Sequence, residues 1–179
     1  MPKPSMPNLF PLMAAYNAWA NLKIYEAASA LSDADYRADR GAFFKSVHGT
    51  LNHLMVADKI WMHRFTGEGE SPTRLDLILF EAFSDLRRER EREDARIETY
   101  VGGLDEAALA GVVRYRTITR PADVEQPLAS ALMHVFNHQT HHRGQIHALL
   151  TGLGAEAPSL DLPWFQRESV VSAQAAAKP

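Results

Sequence analysis

The chain has 179 residues, with 19 Lys and Arg against 22 Asp and Glu, and therefore a formal net charge of −3. Such a slightly acidic chain offers no basic footprint for phosphate groups, so we expect no nucleic-acid partner. It contains no cysteine, which excludes disulfides, thiolate metal sites and a cysteine nucleophile. With no secretory signal pattern and no apolar run long enough to span a bilayer, we expect a cytoplasmic protein without a membrane partner.

Hydrophobic periodicity predicts four long helices. The first runs from about Asn8 to Leu31 and the second from about Gly41 to Phe65. The third runs from about Arg74 to Val101 and the fourth from about Val124 to Leu150. The stretch Val112–Thr119 alternates weakly and fits either a short strand or an extended loop. The predicted fold is all-α, a four-helix bundle with one longer connection before the fourth helix.

No repeat or linker divides the chain, so we expect one domain over residues 1–166 and a flexible tail over residues 167–179. The segment Met1–Pro7 carries three prolines and is expected to be extended. Leu86–Glu98 contains five arginines and five acidic residues, and we interpret it as a solvated helix face with i,i+4 ion pairs.

The eight histidines are the main candidates for chemistry, because seven of them lie in the segments Thr50–Phe65 and His134–His147. At about 100° per residue, His53 falls beside the apolar face of the second helix. Its neighbours on that face are small and leave room for a ligand: Ser46, Gly49, Thr50 and Ala57. His48 and His63 fall on the polar edge with the lysines and are expected to be solvated.

On the fourth helix, His138 and His142 point furthest toward the bundle interior, whereas His147 faces outward. Four residues apart on one helix face, the two imidazoles can converge on one ion. Together with His53 they form a three-imidazole site that leaves coordination positions for water or substrate. A single inward histidine is more often a hydrogen-bonded core residue, and a metal-free histidine network is therefore the alternative.

Three sequence strings resemble the DinB family of damage-inducible bacterial proteins, also described as DinB/YfiT-like metalloenzymes. They are TLNHLMVAD at Thr50–Asp58, MHVFNHQTHHRGQIHALL at Met133–Leu150 and, more weakly, YNAWANLKIYEA at Tyr16–Ala27. The resemblance covers about residues 8–166, and it implies an up-down-down-up bundle, often a homodimer. It also implies a divalent metal, commonly nickel or zinc, on His53, His138 and His142.

Some members of this family are transferases or isomerases that use a low-molecular-weight thiol such as mycothiol, bacillithiol or glutathione. In the mycothiol-dependent maleylpyruvate isomerases the first ligand of the last helix is a glutamate. His138 stands at that position here, which argues against that particular activity.

Further residues flank the predicted site. His134, His141 and Gln145 are candidates to orient a ligand imidazole through a hydrogen bond, and ordinary interhelical polar contacts are the alternative. Arg143 is a candidate to bind an anionic group of a substrate, but its direction on the helix favours the alternative, contact with a neighbouring helix or solvent.

Two functions fit these residues. The first is a metal-dependent enzyme acting on a small-molecule substrate, either by transfer of a small thiol or by hydrolysis. The second is a non-catalytic, metal-stabilised bundle that binds a partner or a small ligand in a stress response. An open metal coordination shell favours the enzyme, and a shell filled by protein ligands favours the binding protein.

Overall fold

The computed structural model describes residues 8–176 of the chain, with side chains up to residue 169. Its elements, in chain order, are α1 (Phe10–Ala28), α2 (Asp33–Arg37), α3 (Val47–Thr66), α4 (Phe83–Gly102), α5 (Glu106–Leu109), β1 (Val112–Arg116), β2 (Asp123–Pro127), α6 (Leu128–Gly152) and α7 (Leu162–Ala176). The segment Met1–Pro7, expected to be extended, lies outside the described residues.

Four long helices build the core, and they correspond to the four predicted ones. Helix α1 packs against α4 and α6, and α3 packs against the same two helices. Each helix contributes at least one fully buried side chain to the largest apolar cluster, for example Ile24, Leu51, Leu86 and Ile146. Burial of such side chains away from water stabilises the fold by about 1.5–3 kcal/mol each. The structure is therefore mostly helical, as the periodicity predicts.

The fold is not purely all-α, because β1 and β2 pair as a small antiparallel sheet between α5 and α6. The weak alternation of Val112–Thr119 thus reflects a strand, one of its two interpretations. The partner strand β2 contains residues that the sequence analysis placed in the fourth helix. That helix, α6, begins at Leu128 rather than near Val124. The reason is Pro127, since a proline disfavours helical geometry at the residue before it.

Helices α3 and α4 also begin later than predicted. Ser46 starts α3 as its N-cap, with a side-chain oxygen that accepts the N–H of Gly49. Between α3 and α4, residues 67–82 form an irregular segment that crosses the surface of α3. The side-chain oxygen of Asn52 holds this segment by accepting the main-chain N–H groups of Leu79 and Phe80. Long-range contacts of this kind leave no local periodicity from which the helix start could be predicted.

The same segment covers the polar edge of α3, so the prediction that His48 is solvated is wrong. His48 is 6 % exposed, and its Nε2 lies 3.1 Å from the carbonyl oxygen of Phe80. His63 is half-buried, with Nδ1 3.0 Å from the carbonyl oxygen of Gly69. Both imidazoles therefore hold the irregular segment against α3.

The charged stretch Leu86–Glu98 is not a wholly solvated face, because Arg90, Glu93 and Asp94 are buried. Arg90 donates a hydrogen bond from Nη1 to a carboxylate oxygen of Asp58 at 2.6 Å, and its Nη2 lies 2.9 Å from Asp94. Burial of these charges is tolerated because each is paired. The pair of Arg90 with Asp58 joins α4 to α3 inside the protein, and the pair with Asp94 lies within α4.

Amide side chains extend these ion pairs to the other two long helices. Asn17 and Asn21 of α1 donate to Asp94 and accept from Arg143 of α6. Arg143 thus reaches a neighbouring helix, as one of its two interpretations predicts. Gln139 of α6 donates to Asp58 of α3. We call these seven residues the buried polar network: Asn17, Asn21, Asp58, Arg90, Asp94, Gln139 and Arg143.

Helix α7 packs on α1, where Phe165 contacts the rings of Tyr16 and Trp19. It crosses residue 166, the predicted boundary between domain and tail, so residues 167–176 are helical. Between residues 8 and 176, no helix is both long and apolar enough to cross a membrane.

Candidate metal centre

Three histidines from two helices direct one ring nitrogen each toward a common point. They are His53 of α3 and His138 and His142 of α6, and these nitrogens all lie within 4.8 Å of one another. Nε2 of His138 is 3.2 Å from Nε2 of His53 and 3.1 Å from Nε2 of His142. The structure therefore brings together the three side chains that the sequence analysis selects as candidate metal ligands.

The imidazole of His53 is held from the other side by the irregular segment. Its Nδ1 lies 2.8 Å from the carbonyl oxygen of Leu75, which can only accept a hydrogen bond. The proton of the neutral ring is thereby placed on Nδ1, and Nε2 keeps its lone pair facing the other two histidines.

His142 is oriented by a chain of two hydrogen bonds along α6. Its Nδ1 donates to Oε1 of Gln145 at 2.7 Å, and Nε2 of Gln145 donates to Nε2 of His141 at 3.1 Å. The structure thus brings two of the three predicted accessory residues into contact with the triad. The Nε2 lone pair of His142 is left to face His138.

His134, the third accessory candidate, is exposed and makes no hydrogen bond to the triad among the described residues. Its ring centroid lies 5.8 Å from that of His138 and 5.1 Å from that of Trp61. It therefore stands at the edge of the site, where it can meet a bound molecule. His147 is half-buried at a separate surface depression and does not approach the triad.

The surroundings keep the triad uncharged near neutral pH. Burial, with added repulsion from His142 and His53, lowers the pKa of His138 to about 3. Burial likewise lowers the pKa of His142 to about 4, and it lowers the pKa of His53. A neutral imidazole is the form that binds a metal, so binding near neutral pH releases no net proton from the triad.

Two of the three nitrogen–nitrogen separations in the triad fit a metal ion. Zinc–imidazole bonds of about 2.0–2.1 Å at tetrahedral angles separate ligand nitrogens by about 3.3 Å. The separations of 3.1 and 3.2 Å are close to this value. The donor set also fits, because His53 and His142 both point a bare nitrogen at the third imidazole.

Phe44 is a residue of the site that the sequence analysis missed. Its ring stacks on that of His53 with centroids 3.7 Å apart and an angle of 15° between the planes. The close approach needs Gly49, because a Cβ there would lie 2.1 Å from the carbonyl oxygen of Phe44. The position directly beside the Cα of Gly49 is thus occupied by the backbone of Phe44.

Space for a ligand next to His53 and His138 lies on the side of Ala57. A cavity of about 390 Å³ opens there, between α3, α6 and the loop that joins β1 to β2. Its walls include two triad histidines and a mostly apolar set of neighbours: His53, His138, His134, Ala57, Ile60, Trp61, Arg64, Leu75, Tyr115 and residues 117–119. The candidate metal centre is therefore accessible to a small molecule.

Replacing Gln145 with leucine should weaken metal binding by about 10–100-fold, the usual loss when a ligand histidine loses its outer hydrogen-bond partner. The variant keeps all three imidazoles but removes the acceptor for Nδ1 of His142. The measurement is a zinc titration in competition with a chromophoric chelator. Thr151→Ala, which removes an exposed hydroxyl near the end of the same helix, should bind zinc like the wild type. Equal affinities in all three proteins would contradict an orienting role for Gln145.

Comparison with known proteins agrees with this architecture. A sequence profile of the DinB family matches residues 3–175. Protein DinB of Bacillus subtilis strain 168 is 28% identical over 153 residues, which is 80% of this chain and 86% of that protein. The crystal structure of a DinB-like protein from Bacillus cereus ATCC 10987 superposes with a TM-score of 0.64 at 16% identity, covering 84% of this chain and 94% of that one. The chain belongs to the DinB family.

Proposed function

We propose that this protein is a metal-dependent enzyme in which His53, His138 and His142 hold one divalent ion. The observation that carries the proposal is the convergence of three neutral imidazole nitrogens beside an accessible cavity. Among the described residues, one group of side chains has its ligand atoms close enough together to bind a metal, and it consists of these three histidines. Three protein ligands leave positions for substrate, which is the arrangement of catalytic rather than structural metal sites.

We propose nickel or zinc as the ion. Imidazole nitrogen suits both metals, and a site of this kind binds either one more tightly than manganese or iron in the divalent series. The absence of carboxylate among the three candidate ligands also disfavours calcium and magnesium, which prefer oxygen.

The proposed reaction is transfer of a small thiol to an electrophile, and hydrolysis is the second candidate reaction. A divalent ion on the triad would supply Lewis-acid chemistry that favours the thiolate form of a small thiol. Since the chain has no cysteine, the sulfur has to come from a low-molecular-weight thiol. The apolar cavity walls suit an electrophile with an apolar body, and His134 at the rim can accept or donate a proton.

We further propose the quaternary and topological features implied by the family resemblance. The four long helices would form an up-down-down-up bundle over residues 1–166, and two copies would associate as a homodimer. The pairwise packing of α1 and α3 on both α4 and α6 supports the bundle. Cytoplasmic location remains part of the proposal.

The proposed function is tested with protein loaded with zinc or with nickel. Glutathione, bacillithiol and mycothiol are each offered with monochlorobimane, and formation of the fluorescent thioether is followed. We expect a rate above the uncatalysed reaction for at least one thiol, and its loss after chelation. The thiol sulfur forms a bond to the bimane carbon, chloride leaves, and the thiol proton passes to the buffer.

Hydrolysis is followed on the same protein with nitrophenyl acetate. A metal-dependent release of nitrophenol without thiol transfer would favour the hydrolase. Stoichiometric metal with neither activity would favour the non-catalytic, metal-stabilised bundle, and it would count against an enzyme.

A further inference from the structure

Arg64 lies in the wall of the cavity beside the triad, on the same helix as His53. Its guanidinium carbon is 4.5 Å from the ring centre of Trp61 and 4.0 Å from that of Tyr115. Two aromatic rings thus hold the charged group in a fixed orientation. The side chain is half-buried, although a long cation usually extends to water.

Arg64 has no acidic partner within 4 Å among the residues that the structure describes. Its only protein hydrogen bond there is a long one, 3.4 Å from Nη2 to the carbonyl oxygen of Arg116. The arginines of the neighbouring strand differ, because Arg114 pairs with Glu125 and Arg116 pairs with Asp123. Arg64 is therefore held in place by the fold without the counterion that its neighbours have.

The environment of Arg64 is unfavourable to an isolated charge. Burial lowers the pKa of this guanidinium. Burial also lowers the pKa of His134, and the positive charge of Arg64 lowers it further. An arginine nevertheless stays protonated in proteins, so the charge persists in the cavity wall. No nitrogen of Arg64 is both enclosed by protein and without a hydrogen-bond partner, so its unpartnered N–H groups are exposed.

We propose that Arg64 binds a carboxylate of the molecule that enters this cavity, and so determines that the enzyme acts on an anionic substrate. This inference rests on the proposed function for the chemistry at the triad, but the anion site itself needs no metal. A planar carboxylate matches the forked guanidinium in two parallel hydrogen bonds. The apolar walls formed by Ile60, Leu75 and Trp61 then cover the carbon skeleton between the carboxylate and the triad.

Binding is tested first on metal-free protein, so that no ion competes for the anion. Benzoate and its neutral analogue benzamide are titrated while tryptophan fluorescence is followed. The wild type should prefer benzoate by about tenfold or more, the discrimination expected for a hydrogen bond to a charged group. Arg64→Gln should abolish the preference and Arg64→Lys should retain part of it. Arg114→Gln, a matched change on the adjacent strand, should leave it intact.

No preference in the wild type, or an equal preference in Arg64→Gln, would overturn the inference. These outcomes are independent of catalysis, so failure of thiol transfer and failure of the anion site are distinguishable. If anion binding depends on Arg64 but the protein has no transferase activity, the anion site is supported and the proposed reaction is contradicted.

The carboxylate can belong to the electrophile or to the thiol, and kinetics on metal-loaded protein separate the two sources. Iodoacetate is compared with iodoacetamide, and mercaptopropionate with mercaptoethanol. In each reaction the sulfur–carbon bond forms, iodide leaves, and the thiol proton goes to the buffer. Arg64→Gln should lower kcat/KM about tenfold only for the reactant whose carboxylate it binds. An equal effect on charged and neutral reactants would contradict carboxylate recognition during turnover.

Discussion

His142→Ala is expected to lose the bound divalent ion completely at metal concentrations that saturate the wild type. The substitution removes one of three ligands, so its effect should exceed the roughly 10–100-fold loss expected for an outer hydrogen-bond partner. His53→Ala should behave in the same way, although it changes the other helix. Elemental analysis of protein purified without a histidine tag should give about one nickel or zinc per wild-type chain and none in either variant.

Thermal unfolding gives an independent measurement of the same loss. An ion that binds only the folded chain stabilises it by about 4 kcal/mol at about 1,000 times its Kd. For a chain of this size, that corresponds to a rise in Tm of roughly 8–16 °C. The wild type should show this rise on addition of zinc, and His142→Ala should not.

Two control histidines lie outside the triad on the same helices, His63 on α3 and His147 on α6. His63→Ala and His147→Ala should both retain the metal and the rise in Tm. A wild type without metal and without a shift would overturn the metal site, and the three imidazoles would then form a hydrogen-bonded network.

The candidate site is predictable from sequence to the extent that it lies on regular helices. His53, His138 and His142 follow from a constant rotation per residue, because α3 and α6 are regular where these side chains lie. Phe44 and Leu75 do not follow, because they belong to irregular segments whose positions depend on tertiary hydrogen bonds. No local pattern marks either residue as a neighbour of His53.

The fold, like the site, is predictable from the sequence only in its regular helices. The four long helices follow from periodicity, but their starting residues depend on single features such as Pro127 and the Ser46 cap. The burial of Arg90 and Asp94 could not be predicted, because a charged helix face is solvated by default. Their burial depends on partners from other helices, above all Asp58 of α3, and such pairing appears only in three dimensions.

Arg90→Met is expected to lower the free energy of unfolding by about 3–5 kcal/mol, the usual result of removing one partner of a buried ion pair. The side chain of Arg90 is 3 % exposed, and its guanidinium neutralises Asp58 and Asp94. Methionine fills part of the volume but leaves two buried carboxylates without their shared cation. Urea unfolding of metal-free protein measures the change, with Arg92→Met as the matched control. Arg92 is 71% exposed and lies 3.7 Å from Glu89, so its loss should cost about 1 kcal/mol or less.

Bound metal should offset the loss in Arg90→Met, because the substitution changes the buried polar network and keeps the three histidines of the triad. Gln139 and Arg143 directly follow His138 and His142, so the network and the triad occupy adjacent faces of one helix. A saturating metal binds only the folded state, and it should therefore recover much of the lost stability in Arg90→Met. It should recover none in the double variant Arg90→Met with His142→Ala. A cost for Arg90→Met as small as that for Arg92→Met would contradict a buried ion pair at this position.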